Sequence, residues 1–183
     1  MKPIERPDIL DLAAYEKVRE DCRRRILEIK EARRIHIGEH LTLLFETTET
    51  MRYQVQEMLR AERITREADI RHEIDTYNEV LGAAGELGCT LLIEIEDPAL
   101  RRRKLAEWLA LPEHLYLLLP DGTKARPRFD ERQRGEDALS AVQYLKFDVR
   151  GEVPVAAGVE LPGAEAEARL TSQQRAALRE DLA

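Results

Sequence analysis

Apolar residues recur every three or four positions early in the chain, at Leu12, Tyr15, Val18, Cys22, Ile26 and Ile29. That spacing puts them on one face of a long helix over 12–32. Asp8 or Asp11 can cap it, because a short carboxylate accepts a free first-turn N–H. The period then drops to two. In 33–46, Ile35 and Ile37 alternate with His36, and Leu41, Leu43 and Phe45 alternate with Thr42 and Leu44. This stretch is one long strand or a hairpin turning at Gly38 and Glu39.

A polar turn over 46–50 offers Thr47, Thr48 or Thr50 as a cap for the next helix, over 50–64. At 100° per residue Met51, Val55, Met58 and Leu59 share one stripe, and Arg52, Gln56, Arg60 and Arg63 share the adjacent one. Glu62 falls inside the apolar stripe and Gln54 near its edge. A burial site for Glu62 would call for an arginine from another element. The chain is organised around this helix.

A further helix over 67–81 carries Ile70, Ile74, Tyr77 and Leu81 on one face, and the glycine-rich 82–88 breaks it. In the strand over 89–96, Leu91, Ile93 and Ile95 face one way, and Leu92, Glu94 and Glu96 the other. Asp97 and Pro98 start a helix that runs to 111. Strands over 114–120 and 124–129 flank a tight turn at Asp121 and Gly122, and Pro127 pushes the second toward a sheet edge. A polar loop over 130–137 precedes a strand over 140–149, expected to be buried on both faces. After Arg150 the composition shifts to Gly, Pro, Ala and Glu. Residues 150–183 read as an appendage: an irregular edge segment with Val153, Val155 and Val159, then a short helix opened by a Thr171/Gln174 capping box. The fold class is α+β, a mixed, largely antiparallel sheet packed by three to four helices, with a core over 1–149 and the appendage over 150–183.

Composition sharpens this picture. The chain has 183 residues, 43% of them hydrophobic, enough for a real core. Its net charge of −7 argues against a nucleic-acid or membrane partner drawn by bulk charge. The basic run 101–104 wraps around its helix and has no interleaved aromatics, so it makes no nucleic-acid patch. No apolar run approaches the ~18 residues of a spanning helix, and the first residues lack the apolar block of a secretory signal. Two cysteines far apart, Cys22 and Cys89, give neither zinc spacing nor a disulfide framework, so a reducing cytoplasm is expected.

Candidate chemistry is sparse. In one straight strand His36 and His40 would lie about 13 Å apart, too far to share a metal, and a hairpin adds no third ligand in sequence. Asp69-x-x-His72, with Glu57 and Glu62 upstream, loosely resembles a di-iron carboxylate pattern, but His72 points away from its helix's apolar stripe. No metal is expected. Glu62, or the pair Glu94 and Glu96, are the acid/base candidates if burial raises a pKa. There is no phosphate loop, dinucleotide fingerprint, nucleophile elbow or H-E-x-x-H motif.

The blocks LLFETTETMRYQVQEMLRAERI, EIDTYNEVL, LLIEIEDPALRRRKLAEWL and SAVQYLKF, in that order, resemble a conserved bacterial family described as a domain of unknown function. The resemblance implies a link to peroxide or redox metabolism, since the family's genes often lie beside those for rubrerythrin-like proteins and flavin or iron–sulfur oxidoreductases. A protein partner from a redox system is therefore expected. The chain lacks the cysteine clusters that hold an iron–sulfur centre, so no cofactor is expected.

Three readings follow. The first is a non-catalytic accessory or binding protein in which Arg52, Gln56, Arg60 and Arg63, with Gln54 and Glu62, hold an acidic group. The second is a small enzyme using Glu62 or Glu94 and Glu96. The third is a homodimeric assembly module pairing through the edge strand near Pro127.

Overall fold

The computed structural model describes residues 1–130 and 135–183. Of the expected polar loop over 130–137, residues 131–134 lie outside the described residues. Helix α1 (Leu12–Glu31) is capped by Asp11, whose carboxylate accepts the Ala14 N–H. A hairpin follows, β1 (Arg34–Ile37) and β2 (Leu41–Phe45), which settles the choice between one strand and two. Gly38 sits at φ 62 in its turn, a conformation glycine adopts without steric cost.

Helix α2 (Thr48–Ala61) opens with a capping box in which Thr47 and Thr50 satisfy each other's backbone N–H groups. It ends earlier than the apolar spacing predicts. Glu62 is its C-cap and Arg63 turns left-handed at φ 53, so neither residue continues the helix. Helix α3 (Glu67–Asn78) then runs to β3 (Glu86–Ile93). Gly88 lies inside this strand rather than in the breaker before it. A Cβ there would stand 2.0 Å from the Val80 carbonyl oxygen, so only glycine lets the end of the preceding segment lie against the strand.

The helix expected over 97–111 is two pieces. Helix α4 (Pro98–Glu107) is capped by Asp97, and a short α5 (Leu111–His114) restarts the chain with Pro112 in its first turn. Strands β4 (Leu115–Leu118), β5 (Lys124–Ala125), β6 (Pro127–Phe129) and β7 (Val142–Asp148) follow. The last stretch contributes β8 (Ala156–Val159), β9 (Ala166–Arg169) and α6 (Ser172–Leu182), the helix opened by the Thr171/Gln174 box.

Two antiparallel sheets result. One has the order β1-β2-β3-β7-β6 and the other β5-β4-β8-β9. The main core includes Leu43, Phe45, Leu91 and Phe147 from the first sheet and Leu115, Leu117, Ala157 and Val159 from the second. A second core gathers Met51, Val55 and Leu59 of α2, Ile70, Ile74 and Tyr77 of α3, and the N-terminal Ile4 and Ile9. Tyr144 of β7 packs against this second core, while Leu145 and Phe147 belong to the main one. β7 is therefore fully buried on one face only, and its other face, with Val142 exposed, is incompletely covered.

Residues 150–183 supply two of the four strands of the second sheet, and Leu161, Leu170 and Leu178 enter the main core. The Arg33 fork grips the Asp181 carboxylate at 2.8 Å through both nitrogens, and Gln174 donates to the Arg34 carbonyl at 2.7 Å. Both Arg33 and Asp181 side chains are largely buried. Burial pushes the Asp181 carboxyl above its usual value, and the Arg33 hydrogen bond offsets that only in part. Among the described residues no helix is long and apolar enough to cross a membrane.

Candidate functional site

Helix α2 packs between α1 and α3. Its face toward α1 is built as an antiparallel ladder of ion pairs. Arg60 donates to Glu16 at 2.6 Å. Arg19 forks onto Glu57 with both contacts at 2.8 Å, and the Tyr15 phenol donates to the same carboxylate at 2.7 Å. Arg25 forks onto Glu49 at 2.8 and 3.0 Å. Going up α1 through residues 16, 19 and 25, the partners descend α2 through 60, 57 and 49. The hydrogen bond from Arg19 holds the Glu57 carboxyl below its usual range. Tyr15 is pushed far up, first by burial and then by its bond to that carboxylate.

The second and third rungs are further apart than the first two, and a groove of about 260 Å³ opens at this gap. Leu10, Tyr15, Cys22, Ile26 and Tyr53 give it an apolar wall, and Arg52 stands at its rim. Arg52 is exposed, and no hydrogen bond or ion pair joins it to another described residue. Burial raises the Tyr53 phenol above its usual value.

The six candidate residues of the α2 region therefore take different parts. Gln56 is 4% exposed, and its amide is consumed by the backbone of Leu10, accepting from the N–H at 2.6 Å and donating to the carbonyl at 3.3 Å. It fixes the segment leading into α1. Arg60 is spent on Glu16. Gln54 lies on the α3 side, close to the Tyr77 phenol. Arg63 is exposed beyond the end of the helix. Arg52 alone of the six lines the groove with its charge unmet among the described residues.

Glu62 corrects the sequence expectation. It is exposed, and no cation pairs with it among the described residues. The wheel that put it in the apolar stripe assumed helix to residue 64, whereas the regular helix stops at Ala61. The pair Glu94 and Glu96 is exposed as well. Glu94 accepts from the buried Thr42 hydroxyl, which also meets His36 Nδ1 at 2.8 Å. Acid/base work by these carboxylates called for burial, and all three are exposed.

His40 lies beside Trp108, with ring centroids 6.3 Å apart, and His36 is held at Thr42. Among the described residues no three or more His, Cys, Asp or Glu side chains are grouped to hold a metal. In the basic run, Arg101 caps the Ile95 carbonyl, and Arg103 and Lys104 pair with Glu107.

Sequence reasoning missed Glu46. It is 2% exposed at the end of β2, directly before the cap of α2. Its carboxylate accepts from Thr50 at 2.6 Å and Thr90 at 2.7 Å, with no cation beside it among the described residues. Cys89, adjacent in sequence to Thr90, is fully buried. Its thiol is pushed well up by that burial and then by the charge of Glu46. The available signal was local: a carboxylate followed four residues later by a threonine, at a strand-to-helix junction.

The chain is similar to known proteins over its whole length. A solved structure from Burkholderia pseudomallei K96243, described as a novel protein of unknown function, superposes with a TM-score of 0.91 at 31% identity, covering 100% of both chains. No curated protein matches the chain. The model of the family described as "Protein of unknown function (DUF3501)" matches residues 3–182, and the chain belongs to that family.

Proposed function

We propose that this protein is a non-catalytic accessory or binding protein that takes up an acidic group at the seam between α1 and α2. The observation that carries the reading is the gap in the ion-pair ladder, where Arg52 stands beside an apolar groove with no partner among the described residues. A guanidinium suits this role because its planar fork holds a carboxylate through two parallel N–H bonds. The link to redox and peroxide metabolism rests on the resemblance to the family, and a redox protein is the partner class it favours.

The test is capture of partners from the native cell by the wild-type chain and by Arg52→Ala. Arg52 is exposed and unpaired among the described residues, so the substitution leaves the melting temperature unchanged. The expected result is loss of a partner or small anion that the wild-type protein retains. Equal retention by both proteins, with equal melting temperatures, refutes the reading.

A further inference from the structure

The groove's size, floor and charge narrow what the acidic ligand can be. At about 260 Å³ it is smaller than the ~300–1,000 Å³ that holds a drug-sized ligand. It admits one ring with a short arm. The polar groups at its floor are already engaged: the Gln56 amide by the Leu10 backbone and the Tyr15 hydroxyl by Glu57. A sugar or nucleoside would bury hydroxyls there with nothing to bond to, at a cost that favours an apolar body instead. Leu10 at the mouth is 42% exposed, a large apolar side chain with little over it. Tyr53 adds an aromatic wall, which favours a ring through offset stacking.

Charge sets the headgroup. Arg25 and Glu49, both at the groove, neutralise each other through a fork at 2.8 and 3.0 Å. Asp8 also lines it, accepting from the Glu5 N–H. Two cations and two anions line the groove, and of these Arg52 is the cation with its hydrogen-bonding fork still open. A single negative charge pairs there. A dianion would set a second negative charge near Asp8 with no further open cation lining the groove, which disfavours phosphate. The Tyr53 hydroxyl, with no partner among the described residues, is the second donor available to a carboxylate.

We infer that the groove between α1 and α2 binds a small aromatic monocarboxylate, its ring against Leu10, Ile26 and Tyr53 and its carboxylate on Arg52. This rests on the reading of the seam as an acid-accepting site and specifies its ligand. Binding is non-covalent and needs no co-reactant.

The experiment is an amide-resolved NMR titration of the full chain with phenylacetate, with neutral phenylacetamide, with inorganic phosphate and with an acidic peptide. Phenylacetate is expected to shift the Cys22 and Tyr53 amides saturably. Arg52→Gln is expected to weaken it about tenfold, the loss of one charge-assisted pair, and phenylacetamide to bind as weakly to the wild type. Cys22→Phe, which fills the groove, is expected to abolish the shifts. Arg52→Gln leaves the fold untouched and decides the question if Cys22→Phe does not fold. If phenylacetate leaves the groove amides unmoved, or binds equally well to Arg52→Gln, the ligand class is wrong. The acid-accepting reading survives that result only if phosphate or the peptide binds in an Arg52-dependent way. If no anion depends on Arg52, both fall.

Discussion

Replacing Glu46 with alanine sets two large effects against each other, and the surroundings decide which wins. The substitution removes the acceptor of two hydroxyl bonds, at 2.6 Å from Thr50 and 2.7 Å from Thr90. Bonds to a charged acceptor contribute roughly 1.5–3 kcal/mol each. Thr50 has a fallback, since its hydroxyl also lies 3.0 Å from the Thr47 carbonyl oxygen. Thr90, 6% exposed, has no second acceptor among the described residues, so its hydroxyl is left unsatisfied at a cost of about 1–3 kcal/mol. Against this stands the relief of desolvating a carboxylate without a cation, which is several kcal/mol for a buried ion. The start of α2 moderates that penalty, because the carboxylate sits by the positive end of a 14-residue helix. The net expectation is a loss of about 2–3 kcal/mol for Glu46→Ala and under ~1 kcal/mol for Glu46→Gln, which keeps an acceptor and sheds the charge. In a chain of this size each kcal/mol moves the melting temperature by ~2–4 °C. Urea unfolding of wild type, both variants, Thr90→Val and the Glu46→Ala/Thr90→Val double variant measures the losses and the coupling between the two side chains. A Glu46→Ala protein as stable as wild type, or a coupling near zero, refutes this account. The carboxylate would then be a net cost, retained for something other than stability.

Two further predictions follow from side chains elsewhere. Because Arg19 and Tyr15 hold the Glu57 carboxyl below its usual value, its stabilisation is complete above the ordinary carboxylate pKa of about 4.3 and is lost as pH falls through the lowered folded value. Glu57→Gln should therefore flatten the acid limb of the stability curve below about pH 4, read by thermal melts across pH; an unchanged limb refutes it. Gly158 lies under the Tyr116 ring, and a Cβ there would meet ring and hydroxyl atoms at 2.4 Å. Gly158→Ala should displace Tyr116 from its 2.7 Å bond to Glu167 and cost about 1–3 kcal/mol, with Tyr116→Leu restoring much of the loss.

Elements with local causes were legible in the sequence. The cap at Asp11, the box at Thr171 and Gln174 and the edge position of Pro127 each depend on chemistry within a few residues. The end of α2 was not, because Glu62-Arg63-Ile64 contains neither glycine nor proline, and only the left-handed turn at Arg63 stops the helix. Strands β8 and β9, with sequences AAGV and AEAR, have too little side-chain pattern to announce themselves. They are strands because β4 pairs with β8, and β8 with β9. The Glu46 bonds reach Thr90 across 44 positions, a juxtaposition no periodicity reports.

The same distinction separates frame from site along the α1–α2 seam. Composition shows many arginines and glutamates but not which of them meet. Once Arg60, Arg19 and Arg25 are matched with Glu16, Glu57 and Glu49, those six charges explain the packing of two polar helix faces and are no longer available to a ligand. Of the cations that line the groove Arg52 is left, and its position is informative because Arg25, the other one, is matched. A cation retained beside an apolar hollow with no structural partner has no part in holding the helices together. Substituting a rung should therefore lower stability, whereas substituting Arg52 should leave stability alone and change only what binds. Loss of stability on Arg52→Ala comparable to that on Arg19→Ala would erase this separation, and with it the reason for placing a site in the gap.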